Sequence, residues 1–262
     1  MDLVGSVVAV TGGAHGIGRA LSERVAREGA AAVAVLDIDL PAAREVADAI
    51  GGLALGLDVT NEAPTLEAGD RVEAELGRLD LFCANAGIAD VGGVELPDAE
   101  WRRMIDVNLM SHVIAARVLV PRMIARGGGH LLHTASAAGL LTQIGSAPYS
   151  VTKHGVIALA EWLAITHGDE GLGVSVLCPQ GVRTAMTAAF DGGGVAGGDG
   201  LMEPEAGADA AIAGLPGGRV LILPHPEVAA YEQRRAADHD RWIAGMRRLQ
   251  ARYGGIGTPV DP

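Results

Sequence analysis

The chain has 262 residues, 49% hydrophobic and 20% charged, which excludes a disordered polymer and supplies enough apolar mass for one large core. Its 32 acidic against 20 basic residues leave a net charge of −12 that repels phosphate backbones, and three Trp, three Tyr and two Phe offer little for base stacking, so nucleic acid is not expected as a partner. The longest apolar runs stop well short of a membrane span, and Met1-Asp2-Leu3-Val4-Gly5 carries an acid where an export signal carries a base; a soluble, cytoplasmic protein with no membrane partner is the expectation.

Val7 to Thr11 is a β-branched run that stops at glycines and reads as a strand, and Ile17 to Ala26 follows with Ile17, Ala20, Leu21 and Val25 at helical spacing. The alternation repeats: strand Ala31 to Asp37, helix Pro41 to Ile50 with proline in its first turn, strand Leu53 to Leu57, helix Thr65 to Leu76, strand Leu79 to Ala84. Asp98 is read as the cap of a long helix reaching about Arg126. His130 to Thr134 is a strand, Tyr149 to about Thr166 a helix and Val174 to Cys178 a strand; Arg219 to Leu223 is a weaker strand and Glu227 to Arg252 a charged amphipathic helix. Such alternation predicts an α/β fold, a doubly wound, Rossmann-like parallel sheet of about seven strands in a single domain. Six of the ten residues from Asp191 to Gly200 are glycine, marking either a functional mobile loop or a plain disordered insertion. Cys83 and Cys178 end apolar runs and read as small buried hydrophobes in a reducing compartment.

Thr11-Gly12-Gly13-Ala14-His15-Gly16-Ile17-Gly18 joins the first strand to the first helix. Glycines there let the backbone turn tightly and approach a pyrophosphate, whose charge the helix N-terminus favours. Asp37 ends the second strand 19 residues after Gly18, where a carboxylate can accept from an adenosine ribose; Asp39 is the competing acid, farther from the strand end. Tyr149 and Lys153 are four apart on one helix and leave the same face. A phenol titrates near pH 10 and must come down by roughly 3 units, about 4 kcal/mol, to act as a base near neutrality, a shift that a neighbouring ammonium favours. Ser136 lies between Ala135 and Ala137 rather than in a Gly-x-Ser-x-Gly elbow, so it reads as a hydroxyl that orients a substrate and not as a hydrolase nucleophile.

Taken in order with Asp58-Val59 after the third strand, Asn85-Ala86-Gly87 after the fourth, Asn108 in the long helix and Pro179-Gln180-Gly181-Val182-Arg183-Thr184 after the sixth, these residues resemble the short-chain dehydrogenase/reductase family in its compact branch, over residues 11 to 184. The resemblance implies an NAD-dependent oxidoreductase of CH–OH groups with Asn108, Ser136, Tyr149 and Lys153 as its catalytic residues. It implies cofactor contacts from Gly12, His15, Gly16, Ile17, Gly18, Asp37, Asp58, Val59, Asn85, Tyr149, Lys153, Pro179, Val182 and Thr184. Asp58 and Val59 would meet the adenine, Lys153 the nicotinamide ribose, and Val182 and Thr184 the nicotinamide amide. Asn108 would distort its helix and hold a water that links Lys153 to solvent. Asp37 would repel a 2′-phosphate, and His15 stands where NADP-using relatives often carry a base, so NAD is the expected cofactor. Gln180 replaces the glycine that usually follows the proline, and the C-terminal fifth lacks the family's glycine-rich ending.

No residue from Ser136 to Tyr149 is charged, which suits a neutral, largely apolar secondary alcohol or ketone, with Ser136, Gln143, Gln180 and Met186 as its contacts. Residues 185–207 would form a loop closing over it through Met186, Phe190, Leu201 and Met202. Two other readings are an NADPH-dependent ketoacyl-type reductase, which the net charge disfavours because its carrier is acidic, and a dinucleotide-sensing protein without turnover, which has no need of all four catalytic residues. No metal is expected, since His130 and His133 are three apart in a strand and face opposite ways. Ile114, Val118, Ile157 and Trp162 give their helices more apolar circumference than one sheet face covers, which predicts a homodimer or homotetramer.

Overall fold

Strands built wholly of apolar residues must be covered on both faces, and the structure, a computed structural model describing residues 1–188 and 191–253, gathers seven into one parallel sheet. The elements run β1 (Val7–Thr11), α1 (Gly16–Arg27), β2 (Ala32–Asp37), α2 (Leu40–Ile50), β3 (Leu53–Gly56), α3 (Glu62–Leu76), β4 (Leu79–Ala84), α4 (Asp98–Ile105), α5 (Ser111–Ala125), β5 (Gly129–Thr134), α6 (Ala138–Leu141), α7 (Ala147–His167), β6 (Leu172–Leu177), α8 (Ala185–Ala188), α9 (Pro204–Gly214), β7 (Leu221–Ile222), α10 (Pro226–Ala237) and α11 (His239–Arg252). The sheet order is β3-β2-β1-β4-β5-β6-β7, all parallel, so the chain reverses direction of travel between β1 and β4. The crevice at the carboxyl ends of such strands is where open α/β sheets bind ligands.

Alternate residues feed the two faces. Leu131 packs into one core with α3, α5 and α7, and Leu132 into the other with α1 and α9. His130 and His133 follow the same alternation, as their spacing requires: His133 meets His112 of α5 on one face, and His130 meets Ser175 of β6 on the other.

Several boundaries differ from the sequence expectation. The long helix begins after Pro97, and Asp98 sits in its first turn without capping a backbone N–H. It continues to Ala125 but is not uniformly α, because Asp106–Met110 forms a π turn between α4 and α5. That composite helix is long and apolar enough by length and composition to cross a membrane, and it is spent instead on the protein core, with half of its most apolar window buried. The charged segment from Glu227 to Arg252 is two helices, because Asp238 leaves helical geometry and caps α11 by accepting from the Arg241 N–H at 3.0 Å. Residues 204–207 belong to α9, whose Ala208, Ala211, Ile212 and Leu215 pack against α1 and β7. Of the four residues expected to be uncovered, Ile114, Val118 and Ile157 are buried within the single chain, since α5 lies between α3 and the sheet and α7 packs on β6 and α6; Trp162 alone stays exposed.

Candidate active site

The glycine turn sits at the carboxyl end of β1, and each glycine is required for a distinct reason. Gly16 has φ +49°, and a Cβ there would lie 3.0 Å from the Thr184 methyl, so a side chain would close the gap between the helix N-terminus and the segment after β6. A Cβ on Gly12 would reach 2.9 Å from the Ala86 Cα, and one on Gly18 would overlap the Gly12 carbonyl oxygen. The N-cap of α1, His15, makes no side-chain cap, which leaves the first N–H groups of a twelve-residue helix available to an anion. An uncapped helix start with no Cβ at Gly12, Gly16 and Gly18 fits a dinucleotide pyrophosphate.

Thr11, which sequence reasoning passed over, ties this turn to the next strand. Its Oγ1 accepts from the Asn85 N–H at 2.9 Å and the Ala86 N–H at 3.2 Å, while Asn85 Nδ2 donates to the Thr11 carbonyl at 3.1 Å. Asp37 is buried at the tip of β2 and accepts from the Ala14 N–H at 3.1 Å and the Asp39 N–H at 3.0 Å. Asp39 caps α2 through the Ala42 N–H and lies 3.5 Å from His15 Nε2, so the competing acid already has a structural task. Asp58 is exposed, and hydrogen bonds from Thr60 and Asn61 hold its carboxyl below the usual range. Val59 packs against the core beside it.

The chemical end forms where β5, α7 and the π turn converge. Lys153 is buried, donates from Nζ to the Thr134 carbonyl at 2.9 Å, and stands 5.7 Å from the centroid of the Tyr149 ring. Burial lowers its ammonium to about 8, so it remains mostly protonated at neutral pH. Burial also raises the Tyr149 phenol above its ordinary value, with the Ser136 hydroxyl acting in the opposite direction. Ser136 Oγ accepts from the Ala138 N–H at 3.1 Å and donates to the Pro179 carbonyl at 3.3 Å, which fixes it against the segment after β6. Asn108 is fully buried in the π turn; its Oδ1 accepts from the Ile88 N–H and its Nδ2 donates to the Ile88 carbonyl, both at 2.8 Å. An asparagine that costs a helix propensity here secures the strand-end loop Asn85–Ile88. A Cβ on Gly87 would sit 3.3 Å from Asn108 Oδ1 and 3.5 Å from Lys153 Nζ, so this glycine keeps the approach to both groups narrow but open.

Beside these residues opens a cavity of about 910 Å³ between α6, the Val195–Asp199 stretch and the pair α10–α11. Ala137, Gln143 and Gln180 line its inner end, and the Gln143 N–H is held by Ser150 Oγ at 2.8 Å. Gln180 donates from Nε2 to Asp199 at 2.9 Å, and the Tyr231 hydroxyl donates to the same carboxylate at 2.9 Å, so the residue that replaces the usual glycine anchors the C-terminal helices. Thr142, at φ +70°, is the one non-glycine residue with positive φ among the described residues and also lines the cavity. Met186 is exposed on α8 and is not among the lining residues; Phe190 lies outside the described residues. Met202 pairs with Gly181 and Arg183 through its backbone at 2.9 and 2.8 Å, which pins the end of the glycine-rich stretch beside Val182. The α10–α11 wall was not legible as part of a site, although the spacing of Arg241, Arg248 and Arg252 marks one helix face.

Among the described residues no three His, Cys, Asp or Glu side chains gather as a metal would require. Cys83 and Cys178 are buried and unpaired, and burial pushes both thiols up to about 12.

A family model described as short chain dehydrogenase matches residues 6–192. The chain is 38% identical over 208 residues to 1-deoxy-11-beta-hydroxypentalenate dehydrogenase of Streptomyces exfoliatus, covering 76% of this chain and 75% of that one. It is 36% identical to cyclohexanol dehydrogenase of an Acinetobacter strain, covering 71% and 76%. A crystal structure of a short chain dehydrogenase/reductase from Burkholderia phymatum, in complex with NAD, superposes on 100% of this chain and 99% of that one with a TM-score of 0.83 at 26% identity.

Proposed function

The chain belongs to the short-chain dehydrogenase family and is an oxidoreductase acting on alcohols, and on that premise we propose that it interconverts a secondary alcohol and its ketone with NAD, using Tyr149 as general base and acid. The observation that carries this reading is the buried Lys153 ammonium beside the Tyr149 ring, with Ser136 fixed at the same strand ends and the glycine turn two strands away. When bound, NAD supplies the hydride acceptor. Gly12, His15, Gly16, Ile17 and Gly18 would hold its pyrophosphate; Asp37, Asp58 and Val59 its adenosine end; Asn85, Lys153, Pro179, Val182 and Thr184 its nicotinamide end.

Ser136 donates to the substrate oxygen and holds it against Tyr149. Tyr149, deprotonated, takes the hydroxyl proton as the C–O bond becomes a carbonyl. In the bare protein burial keeps the phenol neutral, so the base forms only when further positive charge joins the Lys153 ammonium at the ring. Asn108, by shaping the π turn and holding Ile88, keeps Lys153 and its outlet for the proton in register. Ala137, Leu141 and Gln143 at the inner end of the cavity suit a substrate that is apolar around the reacting carbon.

Residues 185–188 and 191–203 would cover that substrate, and faster hydrogen exchange there in the free protein than with NAD and an alcohol would support a covering role. The exposed stripe Val151, Ala158, Trp162 and Ile165 of α7 supports a homo-oligomer, which light scattering at micromolar concentration tests. Two buried free cysteines accord with a cytoplasmic setting. The direct test of the activity is a panel of secondary alcohols with NAD and with NADP, followed by the absorbance of reduced cofactor. A preference of tens to hundreds of fold for NAD is expected, narrowed by Asp37→Ala, because two like charges about 4 Å apart interact by about 1 to 4 kcal/mol depending on exposure. Equal efficiency with both cofactors would remove NAD from the reading, and no reduction with any alcohol would remove the reading itself.

A further inference from the structure

The far wall of the cavity is α11, and its chemistry is unlike that of the inner end. Arg241, Gly245, Arg248 and Arg252 recur at intervals of four, three and four and share one helix face, which lines the cavity together with Arg234 of α10. Trp242, Met246 and Leu249 lie on the same wall and place apolar surface between the guanidiniums.

Two carboxylates line the cavity with these four arginines, and both are already engaged. Asp199 accepts from Gln180 Nε2 and the Tyr231 hydroxyl, both at 2.9 Å, and Asp238 accepts from the Arg241 N–H as the cap of α11. Among the described residues, four cations against two anions give the lining a formal charge of +2 in a chain whose net charge is −12. Arg241, Arg248 and Arg252 carry like charge along one face, an arrangement that a bound anion stabilises.

Resting on the oxidoreductase reading above, we propose that the alcohol substrate carries a carboxylate remote from its hydroxyl, bound by Arg241 and Arg248 while Leu141 and Trp242 hold the apolar body. The hydroxyl end meets Ser136 and Tyr149, beyond Ala137 and Gln143 at the inner end. A cavity of about 910 Å³ has room for a compact hydroxy acid. The uncharged segment 136–149 thus describes only the half of the substrate near the reacting carbon.

Calorimetric titration of the NADH-loaded protein with cyclohexanecarboxylate and with its methyl ester tests this without requiring turnover. The acid is expected to bind about tenfold more tightly than the ester, with the advantage shrinking as salt rises. Arg241→Gln with Arg248→Gln should bring the ratio to about one, and Arg241→Lys with Arg248→Lys should retain most of it. Equal binding of acid and ester by the wild type, or equal weakening of both in the glutamine variant, overturns the proposal. A parallel turnover assay uses 3-hydroxycyclohexanecarboxylate and its methyl ester with NAD. If no secondary alcohol of the panel, these two included, is oxidised while the arginine-dependent binding of the acid persists, the alcohol reading falls and the carboxylate site stands. If the ester is oxidised as efficiently as the acid, the alcohol reading stands and the proposal falls.

Discussion

The carboxyl ends of the central strands and the C-terminal wall lie on either side of the same cavity region but are built on opposite terms. Lys153, Asn108 and Ser136 are buried, and each polar group is held by a backbone partner from a different element: Thr134, Ile88 and Pro179. Along α11 no residue is buried, and α10 buries only Val228. The reacting groups therefore sit where one change disturbs several elements, and the wall sits where a side chain can be exchanged at little cost to the fold. Chemistry and specificity are separated by how much structure each residue supports.

Four changes would break or sharpen that contrast. Tyr149→Phe should lower kcat by 10² to 10⁴ while the dissociation constant for NAD, read by fluorescence titration, moves less than about twofold; a residual rate above about a tenth of wild type would mean another base.

Acid should act most strongly on the imidazoles buried between the sheet and its helices. His130 and His133 are lowered by burial to about 4, and His112 is lowered further by burial and by His133. All three stay neutral when folded, whereas in the unfolded chain they take protons below about pH 6.5. Their contribution to stability is present above that value and is lost as pH falls toward 4, so urea unfolding at pH 5 should give about 6 kcal/mol less than at pH 7.5, about 2 for each imidazole. Equal stability at the two pH values would contradict the burial of these imidazoles.

Gly18→Ala should cost about 3 kcal/mol, read from the same urea curves, because its methyl meets the backbone of Gly12 and not the end of a flexible side chain. Trp242→Ala on the wall should change the unfolding free energy by less than about 1 kcal/mol and raise KM severalfold with kcat nearly unchanged, since the indole is only half-buried and lines the cavity. A loss of stability as large as that of Gly18→Ala would place the wall in the core.

The frame was legible because burial on both faces leaves a plain mark: near-continuous apolar runs such as Val7–Thr11 and Leu79–Ala84 can scarcely be anything but central strands. The Tyr149–Lys153 pair was legible because helical spacing alone puts both on one face. Other features left fainter marks. Ala208, Ala211, Ile212 and Leu215 have helical spacing, but α9 follows a glycine-rich stretch that reads as loop. The break at Asp238 occurs without proline or glycine, so charge periodicity runs through it. Ile114, Val118 and Ile157 show that an apolar circumference does not itself indicate a partner chain, because α3, α6 and the sheet cover them from within. The arginine wall depends on α6, the Val195–Asp199 stretch and α11 meeting in space, which no local pattern encodes.

The π turn at Asp106–Met110 has a consequence for the helix that contains it. An α-helix advances about 100° per residue, and a π turn holds one residue more than an α turn, so α4 and α5 run along nearly one axis with their faces out of phase by about that angle. The extra residue behaves like a dislocation in a crystal: the strain is local, yet the misfit cannot relax while the lattice on either side keeps its orientation. Removing one residue between Asp106 and Met110 would heal the helix into uniform α hydrogen bonding and at the same time turn the Met104 face away from the phase that Leu119 and Met123 need for the core. The most regular version of this helix is one the fold cannot use, and the number of residues between Met104 and Leu119 is fixed as firmly as their identity.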